Sequence, residues 1–293
     1  MASPVIAASG TAGYGPELGE ALDVKLLGGI VTKGISLTPQ EGNRPPRIAE
    51  TPCGMLNSIG LENVGLRRFV EEILPRLKAL DTNVVVNLYG TTPEEFARLA
   101  EAVEAAGKGV VKAVELNLSC PNVAKGGMAF GQDPEAVREA TAAVRAATSL
   151  QVWVKLTPNV SSPVPMARAA AEAGADAVCL INTLLGMAID ARTRGPRLGA
   201  VVGGLSGPAI KPVGLRMVWE VAREVEVDVI GIGGIITGED VVEYMLAGAR
   251  AVQVGTASLR EPGACGRIVQ ELAAFCAEEG VESVDELVGA LQA

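Results

Sequence analysis

The chain has 293 residues and a formal net charge of −9, with 48% hydrophobic, 20% charged and 3% aromatic residues. This composition is ordinary for a globular protein, and the acidic balance argues against a nucleic-acid or anionic-membrane surface. The chain contains no histidine, so any proton transfer near neutral pH must use cysteine, lysine, tyrosine or a carboxylate.

Short apolar segments rich in Val, Ile and Leu recur along the chain and predict strands that are buried on both faces. In chain order they are Pro4–Ser9, Gly29–Lys33, Val84–Leu88, Ala113–Ser119, Val152–Leu156, Ala177–Asn182, Val229–Gly233 and Ala251–Gly255. Amphipathic stretches between them predict helices, for example Pro93–Ala106, Pro134–Ala147, Pro163–Ala173 and Gly238–Ala247. Eight strands alternating with helices predict a (β/α)8 TIM barrel that forms one domain over residues 1–293. A doubly wound sheet is less favoured, because the glycine-rich turns come late in the chain.

Two connections are too long to be simple loops between a strand and its helix. They are Gly34–Asn63 after the second strand and Thr183–Ser206 after the sixth. Both leave the carboxyl ends of strands, where barrels keep their active sites. We therefore expect these connections to form lids or walls around a substrate.

Polar residues follow the predicted strands at this same end of the barrel. They are Ser9, Lys33, Asn87, Asn117, Cys120, Lys155, Asn182 and Thr183. One lysine at a strand end is easily a solvated side chain, but two lysines and three asparagines on one face are hard to explain as structure alone. This set predicts an active site.

The last two strands end in glycine-rich turns, Ile232–Ile235 and Val254–Ala257. Such turns after the seventh and eighth strands are the usual phosphate site of this fold, although glycines can also serve only tight turns. A phosphate site beside amides and lysines suggests FMN. We expect Lys155 to lie near N1 and the C2 carbonyl of the flavin, where a cation stabilises the reduced anion.

Two further features have both a structural and a functional interpretation. The segment 57–63 (NSIGLEN) is either a loop ending at a helix N-cap, with Asn63 before the helix, or a wall of donors around a small planar anion.

A lone cysteine is usually a small buried hydrophobe, and this is the role we expect for Cys53, Cys179, Cys265 and Cys276. Cys120 differs because it follows a strand end and precedes Pro121. A thiol there is a workable base if nearby positive charge favours its thiolate.

The remaining sequence features concern the compartment. Five irregularly spaced cysteines without a C-x-x-C motif indicate a reducing, cytoplasmic location and no cysteine-ligated metal in this chain. We expect no membrane span, because no apolar run is long enough, and no signal peptide, because the start lacks a basic region before an apolar core.

Motifs along nearly the whole chain carry a resemblance to a known family. They are NSIGLEN (57–63), ELNLSCPN (115–122), GGMAFG (126–131), VKLTPN (154–159), INTLLG (181–186), GGLSGPAIKPVG (203–214), GIGG (231–234) and VGTA (254–257). In this order they resemble the class 1 dihydroorotate dehydrogenases, and the stretch after the cysteine is similar to the NAD-linked subclass B catalytic subunit.

The resemblance implies oxidation of (S)-dihydroorotate to orotate in de novo pyrimidine biosynthesis. Cys120 would remove the C5 proton as general base, and a hydride would pass from C6 to N5 of FMN. It implies substrate contacts from Lys33, Asn57, Ser58, Ile59, Gly60, Leu61, Asn117, Asn182 and Thr183. It implies FMN contacts from Ser9, Lys33, Gly34, Asn87, Asn117, Lys155, Ile181, Gly207, Gly233, Gly234, Gly255 and Thr256.

The resemblance also implies a partner. In subclass B a second subunit with FAD and a 2Fe–2S cluster passes electrons to NAD⁺, in a heterotetramer built on a catalytic homodimer. The family has a strand pair ahead of the first barrel strand. We expect it to be missing here, since the chain starts at Met1-Ala2-Ser3-Pro4.

Two rival functions remain open at this point. One is another FMN-barrel enzyme, such as a dihydropyrimidine-type or dihydrouridine-type reductase. The other is a flavin- or phosphate-binding subunit without catalytic activity.

Overall fold

The structure is a computed structural model that describes residues 3–119 and 130–292. The strands in chain order are β1 (Val5–Ala7), β2 (Gly29–Val31), β3 (Ile48–Thr51), β4 (Gly54–Asn57), β5 (Val84–Leu88), β6 (Val111–Asn117), β7 (Gln151–Lys155), β8 (Ala177–Leu180), β9 (Leu184–Met187), β10 (Ile189–Asp190), β11 (Gly195–Pro196), β12 (Val202–Ser206), β13 (Asp228–Ile232) and β14 (Ala251–Val254). The short strands β10 and β11 pair with each other.

A closed barrel forms the centre of the molecule. Its strands follow the order β1, β14, β13, β8, β7, β6, β5 and β2, and β2 pairs back onto β1. Every neighbouring pair in the barrel is parallel. The predicted TIM barrel is therefore confirmed, and the doubly wound alternative is wrong. Each of the eight predicted strand segments overlaps one barrel strand, with bounds that differ by up to two residues at either end.

Helices surround the barrel. They are α1 (Gly65–Arg68), α2 (Leu74–Leu77), α3 (Pro93–Ala106), α4 (Pro134–Ala147), α5 (Val164–Glu172), α6 (Lys211–Ala222), α7 (Gly238–Leu246), α8 (Thr256–Arg260) and α9 (Ala264–Glu279). A π-helical segment, Phe69–Ile73, joins α1 to α2. Short 3₁₀ turns cover Leu18–Glu20, Val24–Leu26, Lys78–Leu80, Phe130–Gln132, Pro208–Ile210 and Val284–Leu287.

The starts of the main helices follow from local sequence. In α3 and α4 a proline occupies the first turn, where its missing N–H costs nothing. The side chains of Thr92 and Asp133 accept hydrogen bonds from the first-turn N–H groups of these two helices. Thr237 and Asp240 form a reciprocal capping box at the start of α7. Strong local signals of this kind explain why the predicted bounds of α3 and α4 match the structure.

The two long connections are more ordered than loops. Strands β3 and β4 from the first connection and β9 and β12 from the second form one antiparallel sheet in the order β3, β4, β12, β9. The register places Asn57 beside Gly204 and Leu56 beside Leu205. The sequence analysis expected lids or walls but did not predict this sheet, because its partners lie far apart in sequence and only folding brings them together.

The interior of the barrel is layered. A lower apolar layer includes Ile6, Val31, Val85, Trp153 and Ile230. Because side chains along a strand alternate between its two faces, residues two positions further along β5, β6, β7 and β14 point into the same interior. This alternation carries polar side chains up to the carboxyl ends of the strands.

The four described cysteines differ in exposure. Cys179 and Cys265 are buried, as predicted for small apolar side chains, and Cys276 is half-buried. The prediction for Cys53 is wrong, because it is exposed in the turn between β3 and β4. That turn belongs to the sheet that the sequence did not reveal.

Within the described part of the chain, none of the helices has the length and apolar character needed to cross a bilayer.

Candidate active site

A cavity of about 450 Å³ opens at the carboxyl ends of the barrel strands. All of the site residues that the sequence predicts within the described ranges line it. They are Ser9, Lys33, Gly34, Asn57, Ser58, Ile59, Gly60, Leu61, Asn87, Asn117, Lys155, Ile181, Asn182, Thr183, Gly207, Gly233, Gly234, Gly255 and Thr256. Cys120 lies outside the described residues. The fold thus brings segments from across the chain around one space.

The floor of the cavity is polar and rigid. Lys155 is the last residue of β7 and lies beside Asn117, the last residue of β6. Its ammonium group donates to the hydroxyl of Ser9 at 3.0 Å. Asn87 is 2% exposed and donates its side-chain N–H to Glu115 at 2.7 Å. Strand ends hold side chains more firmly than loops do, so the geometry of this floor is fixed by the barrel.

One wall is the glycine turn after β13. Gly234 has a φ of +74°, and a Cβ there would lie 2.7 Å from the Cβ of Lys211 and 2.9 Å from the carbonyl oxygen of Gly207. Only glycine fits both the backbone conformation and this close approach. The turn therefore presents bare backbone to the cavity, as a phosphate requires.

Tyr244 supports this turn from below. It is fully buried in α7, and its hydroxyl donates to the carbonyl oxygen of Gly233 at 2.7 Å and lies 3.3 Å from that of Ile232. Burial raises the pKa of Tyr244, and the nearby carboxylates of Asp240 and Glu243 add to the effect. The phenol therefore stays protonated and can donate. It anchors the carbonyl side of the turn and so orients the turn toward the cavity.

Asp240 holds the segment that follows the glycines. It accepts hydrogen bonds from the N–H groups of Ile236 and Thr237 at 2.7 and 2.9 Å and from Lys211 at 2.6 Å. Burial alone would raise the pKa of Asp240, but Lys211 and the two backbone donors outweigh it and lower the pKa. The carboxylate therefore ties the turn to the start of α6.

The opposite wall is the segment 57–63, for which the sequence left two interpretations. Residues 57–62 line the cavity. Asn63 instead accepts from the N–H groups of Ser36 and Gly65 at 3.2 and 2.9 Å, next to the start of α1. The segment therefore ends beside a helix start, as the structural interpretation predicted, and its earlier residues form part of the cavity wall. The role of these residues as donors to a bound anion stays a prediction. Among the described residues, the buried hydroxyl of Ser58 has no hydrogen-bond partner, so it is available to a ligand.

Amides converge between the two walls. The side-chain N–H₂ of Asn182 donates to Ser119 at 2.9 Å and to Asn117 at 3.2 Å. The side-chain oxygen of Asn182 accepts from the N–H of Thr183 at 2.8 Å. Ser119, which also lines the cavity, was not predicted. These contacts place donors and acceptors where a planar polar ring could bind.

Asn159 holds the segment that carries Asn182 and Thr183. Its side-chain N–H₂ donates to the carbonyl oxygen of Thr183 at 3.1 Å, and its oxygen accepts from the N–H of Leu185 at 2.9 Å. Asn159 does not line the cavity itself. It therefore fixes the position of residues that do.

The cavity wall favours an anion. Its charged side chains among the described residues are Lys33, Lys155 and Glu62. Glu62 forms an ion pair with Arg47, which offsets its charge. The buried carboxylate of Glu115, 3.6 Å from Lys155, offsets part of the charge of that lysine. The wall keeps a positive excess, and this suits a ligand with a carboxylate or a phosphate.

Comparison with known proteins assigns the family. A family profile described as Dihydroorotate dehydrogenase matches residues 1–276. The chain belongs to the dihydroorotate dehydrogenase family. Its relatives include proteins named dihydroorotate dehydrogenase B (NAD(+)), catalytic subunit. Those of Geobacter sp. M21 and Geobacter sulfurreducens are 54% and 55% identical over 100% of this chain and 95% of their own length. That of Citrifermentans bemidjiense is 53% identical with the same coverage.

A solved structure agrees with the fold. The crystal structure of DHODH from Eimeria tenella in complex with ferulenol matches with a TM-score of 0.79 and 22% identity, covering 98% of this chain and 85% of that chain. This likeness supports the barrel fold.

The dihydroorotate dehydrogenase family is FMN-dependent, and the residues around the cavity fit FMN. The cradle at Gly234, which a Cβ would fill, matches the phosphate. Lys155 would supply a cation for the flavin ring, and the amides of Asn87 and Asn117 line the same cavity. Donors for both ends of FMN are therefore present.

Removing the Tyr244 hydroxyl should loosen the phosphate end of this FMN site. Tyr244→Phe keeps the packing but loses the donor to Gly233, so we expect the dissociation constant of FMN to rise about fivefold. Fluorescence titration of apoprotein with FMN measures it. Tyr14→Phe is the matched control, because its hydroxyl accepts from the N–H of Val64 and not from the turn. Equal affinities of Tyr244→Phe and wild type would contradict the role of Tyr244.

Removing the Asn159 side chain should affect the substrate and not the flavin. Because Asn159→Ala frees the segment of Asn182 and Thr183, we expect the KM for dihydroorotate to rise about tenfold with FMN content unchanged. Gln132→Ala is the control, since Gln132 donates to the backbone oxygen of Asn159 and leaves the Asn159 side-chain contacts in place. Steady-state kinetics of both variants make the comparison, and an unchanged KM in Asn159→Ala would remove this residue from the site.

Sequence reasoning missed several residues that shape the site. Glu115 and Asn159 lie inside motifs that the sequence analysis quoted, but we assigned them no role. A charged residue within a strand buried on both faces was a usable signal for Glu115. No local pattern distinguishes Tyr244 from an ordinary helical core residue.

Proposed function

We propose that this chain is the catalytic subunit of an NAD-linked dihydroorotate dehydrogenase, which oxidises (S)-dihydroorotate to orotate in pyrimidine biosynthesis. The observation that carries the proposal is the single cavity at the carboxyl ends of the barrel, where two lysines, several amides and a glycine turn converge. The named function of relatives at 53–55% identity over the full chain supports it.

In this proposal FMN occupies the side of the cavity near the glycine turns. Gly207, Gly233, Gly234, Gly255 and Thr256 would hold its phosphate end. Ser9, Lys33, Gly34, Asn87, Asn117, Lys155 and Ile181 would contact the rest. When bound, FMN supplies the hydride acceptor that no amino-acid side chain provides.

Dihydroorotate would lie between this flavin site and the segment 57–61. The amides of Asn57, Asn117 and Asn182 have the donors and acceptors to pair with the edges of a pyrimidine ring. Lys33, Ser58 and Thr183, with the backbone N–H groups of residues 59–61, would bind its carboxylate. The excess of cations in the wall supports an anionic substrate.

Cys120 would act as general base for the C5 proton. The chain has no histidine, and Ser119, directly before Cys120, lines the cavity and accepts a hydrogen bond from Asn182. The substrate-side amides would orient C5 toward the thiolate, which supplies the geometry that general-base catalysis needs.

We further propose that the electrons leave through a partner subunit with FAD and a 2Fe–2S cluster, in a heterotetramer built on a catalytic homodimer. An exposed apolar strip along β9, the adjoining β10 and β12 supports an assembly. Leu185, Met187 and Ile189 are 68%, 51% and 60% exposed, and Val202 pairs beside Met187. Exposed apolar strips of this kind often mark interfaces.

We place the enzyme in the cytoplasm, and the free thiols of the four described cysteines support that location.

An anaerobic visible spectrum of the purified chain, before and after addition of dihydroorotate, tests the activity. We expect a flavin spectrum that dihydroorotate bleaches. A flavin that dihydroorotate does not bleach, but that a pyrimidine reoxidises after chemical reduction, would favour a dihydropyrimidine-type reductase. A protein that binds no flavin after incubation with FMN would overturn the proposal.

A further inference from the structure

A carboxylate lies at the centre of the barrel, below the cavity. Glu115 of β6 is 0% exposed. One of its oxygens accepts from Asn87 at 2.7 Å and lies 3.6 Å from the ammonium nitrogen of Lys155. Its other oxygen accepts from the side chain of Gln253 at 2.6 Å. Every described partner of this carboxylate is itself almost completely buried.

Glu115 is one step removed from the cavity. Lys155 and Asn87 line the cavity, whereas Glu115 does not. Its influence on a bound ligand therefore passes through these two side chains and through its electric field. Because the Lys155 and Glu115 side chains are only 7% and 0% exposed, water screens their charges little.

We propose that Glu115 is a positioning residue that offsets the charge of Lys155 and thereby lowers the reduction potential of the bound flavin. This inference rests on the proposed function. A lysine alone would stabilise the anionic reduced flavin strongly. A flavin held too firmly in its reduced state would pass electrons poorly to an acceptor of low potential. The Glu115 charge limits this stabilisation while keeping Lys155 and Asn87 in place.

The negative charge in this layer of the barrel comes from Glu115, because the side chains of Gln253 and Cys179 beside it are neutral. Gln253 is neutral, and its side chain also lies 3.7 Å from the sulfur of Cys179. Burial raises the pKa of Cys179 well above its usual value, and the charge of Glu115 adds to the effect. Cys179 therefore remains a neutral thiol. The field that reaches the flavin from this layer is that of Lys155 reduced by Glu115.

The chain is able to accept a neutral side chain here. Among the described residues, the amide oxygen of Gln253 has no hydrogen-bond partner. In Glu115→Gln the new amide N–H₂ would face Gln253, and a flip of the Gln253 amide would turn its free oxygen toward that donor. The hydrogen bond from Asn87 and the 3.6 Å contact with Lys155 can persist through the remaining oxygen. The variant thus removes charge at nearly constant shape.

The test is the reduction potential of FMN bound to Glu115→Gln, measured anaerobically by equilibration with a reference dye. We expect reduced FMN to be favoured at least about tenfold more than in wild type, which is a rise of about 30 mV for a two-electron couple. A potential that stays the same or falls would overturn the inference. If this variant does not fold, Glu115→Asp serves instead, because it withdraws the carboxylate from Lys155, and we expect a smaller rise.

Gln253→Met is the matched control. It removes a hydrogen bond to the same carboxylate but no charge, so its potential should stay near that of wild type. An equal rise in both variants would show that disturbance of the layer, and not charge, moves the potential, and it would overturn the inference. A wild-type chain without FMN, or with FMN that dihydroorotate does not bleach, would instead overturn the proposed function.

Discussion

Cys120→Ala is expected to reduce its bound flavin with dihydroorotate about 10²-fold more slowly than wild type, or more slowly still, while FMN remains bound. The alanine cannot accept the C5 proton, and the chain has no histidine to replace the thiolate. The substitution leaves the residues that would hold FMN unchanged. Anaerobic stopped-flow absorbance measures the rate of flavin bleaching directly.

Two comparisons separate a chemical role of Cys120 from a structural one. Cys53→Ala removes an exposed thiol elsewhere and should leave the rate unchanged. The wild-type rate should rise with pH as the thiolate forms, since an ordinary thiol titrates near ~8.5. The residual rate of Cys120→Ala should lack this rise. Normal bleaching by Cys120→Ala would rule out the base assignment and favour a binding subunit without catalysis.

Lys155→Ala is expected to damage both the fold and the flavin chemistry. When the Lys155 ammonium group is removed, Glu115 becomes a buried carboxylate without its cation. This lowers the free energy of unfolding by about 3–5 kcal/mol. Reduced FMN also loses its counter-charge, so we expect reduction by dihydroorotate to slow at least about tenfold. Chemical unfolding measures the first effect and stopped-flow absorbance the second.

The double variant Lys155→Ala, Glu115→Gln distinguishes these effects. Removing the unpaired carboxylate should restore most of the lost stability, because the two residues interact directly. The slow flavin reduction should persist, since the cation is still absent. A double variant as unstable as the single one would contradict the buried ion pair. A single variant that folds, binds FMN and reduces it normally would remove Lys155 from the flavin site.

Much of the barrel could be predicted because its signals are local. The run Ala113–Ser119 has the apolar character of a strand buried on both faces, and Pro93–Ala106 has a capping threonine before it and glycine after it. Polar residues such as Lys155 and Asn182 could be assigned to one end of the barrel because parallel strands all point the same way. Their individual contacts could not be assigned, since several rotamers reach the same space.

The sequence by itself determined the kind of barrel and the end that carries the site, because both depend on periodicity or on position at a strand end. Many of the individual cavity residues were expected only from the resemblance of the motifs to a known family. Only the tertiary structure decided that the two long connections pair as one sheet, with Asn57 beside Gly204. It also decided that Glu115 lies against Lys155 and that Asn159 holds Thr183. These are contacts between residues far apart in the chain or on neighbouring strands. Their partners are set by barrel closure and side-chain packing, which no local pattern records.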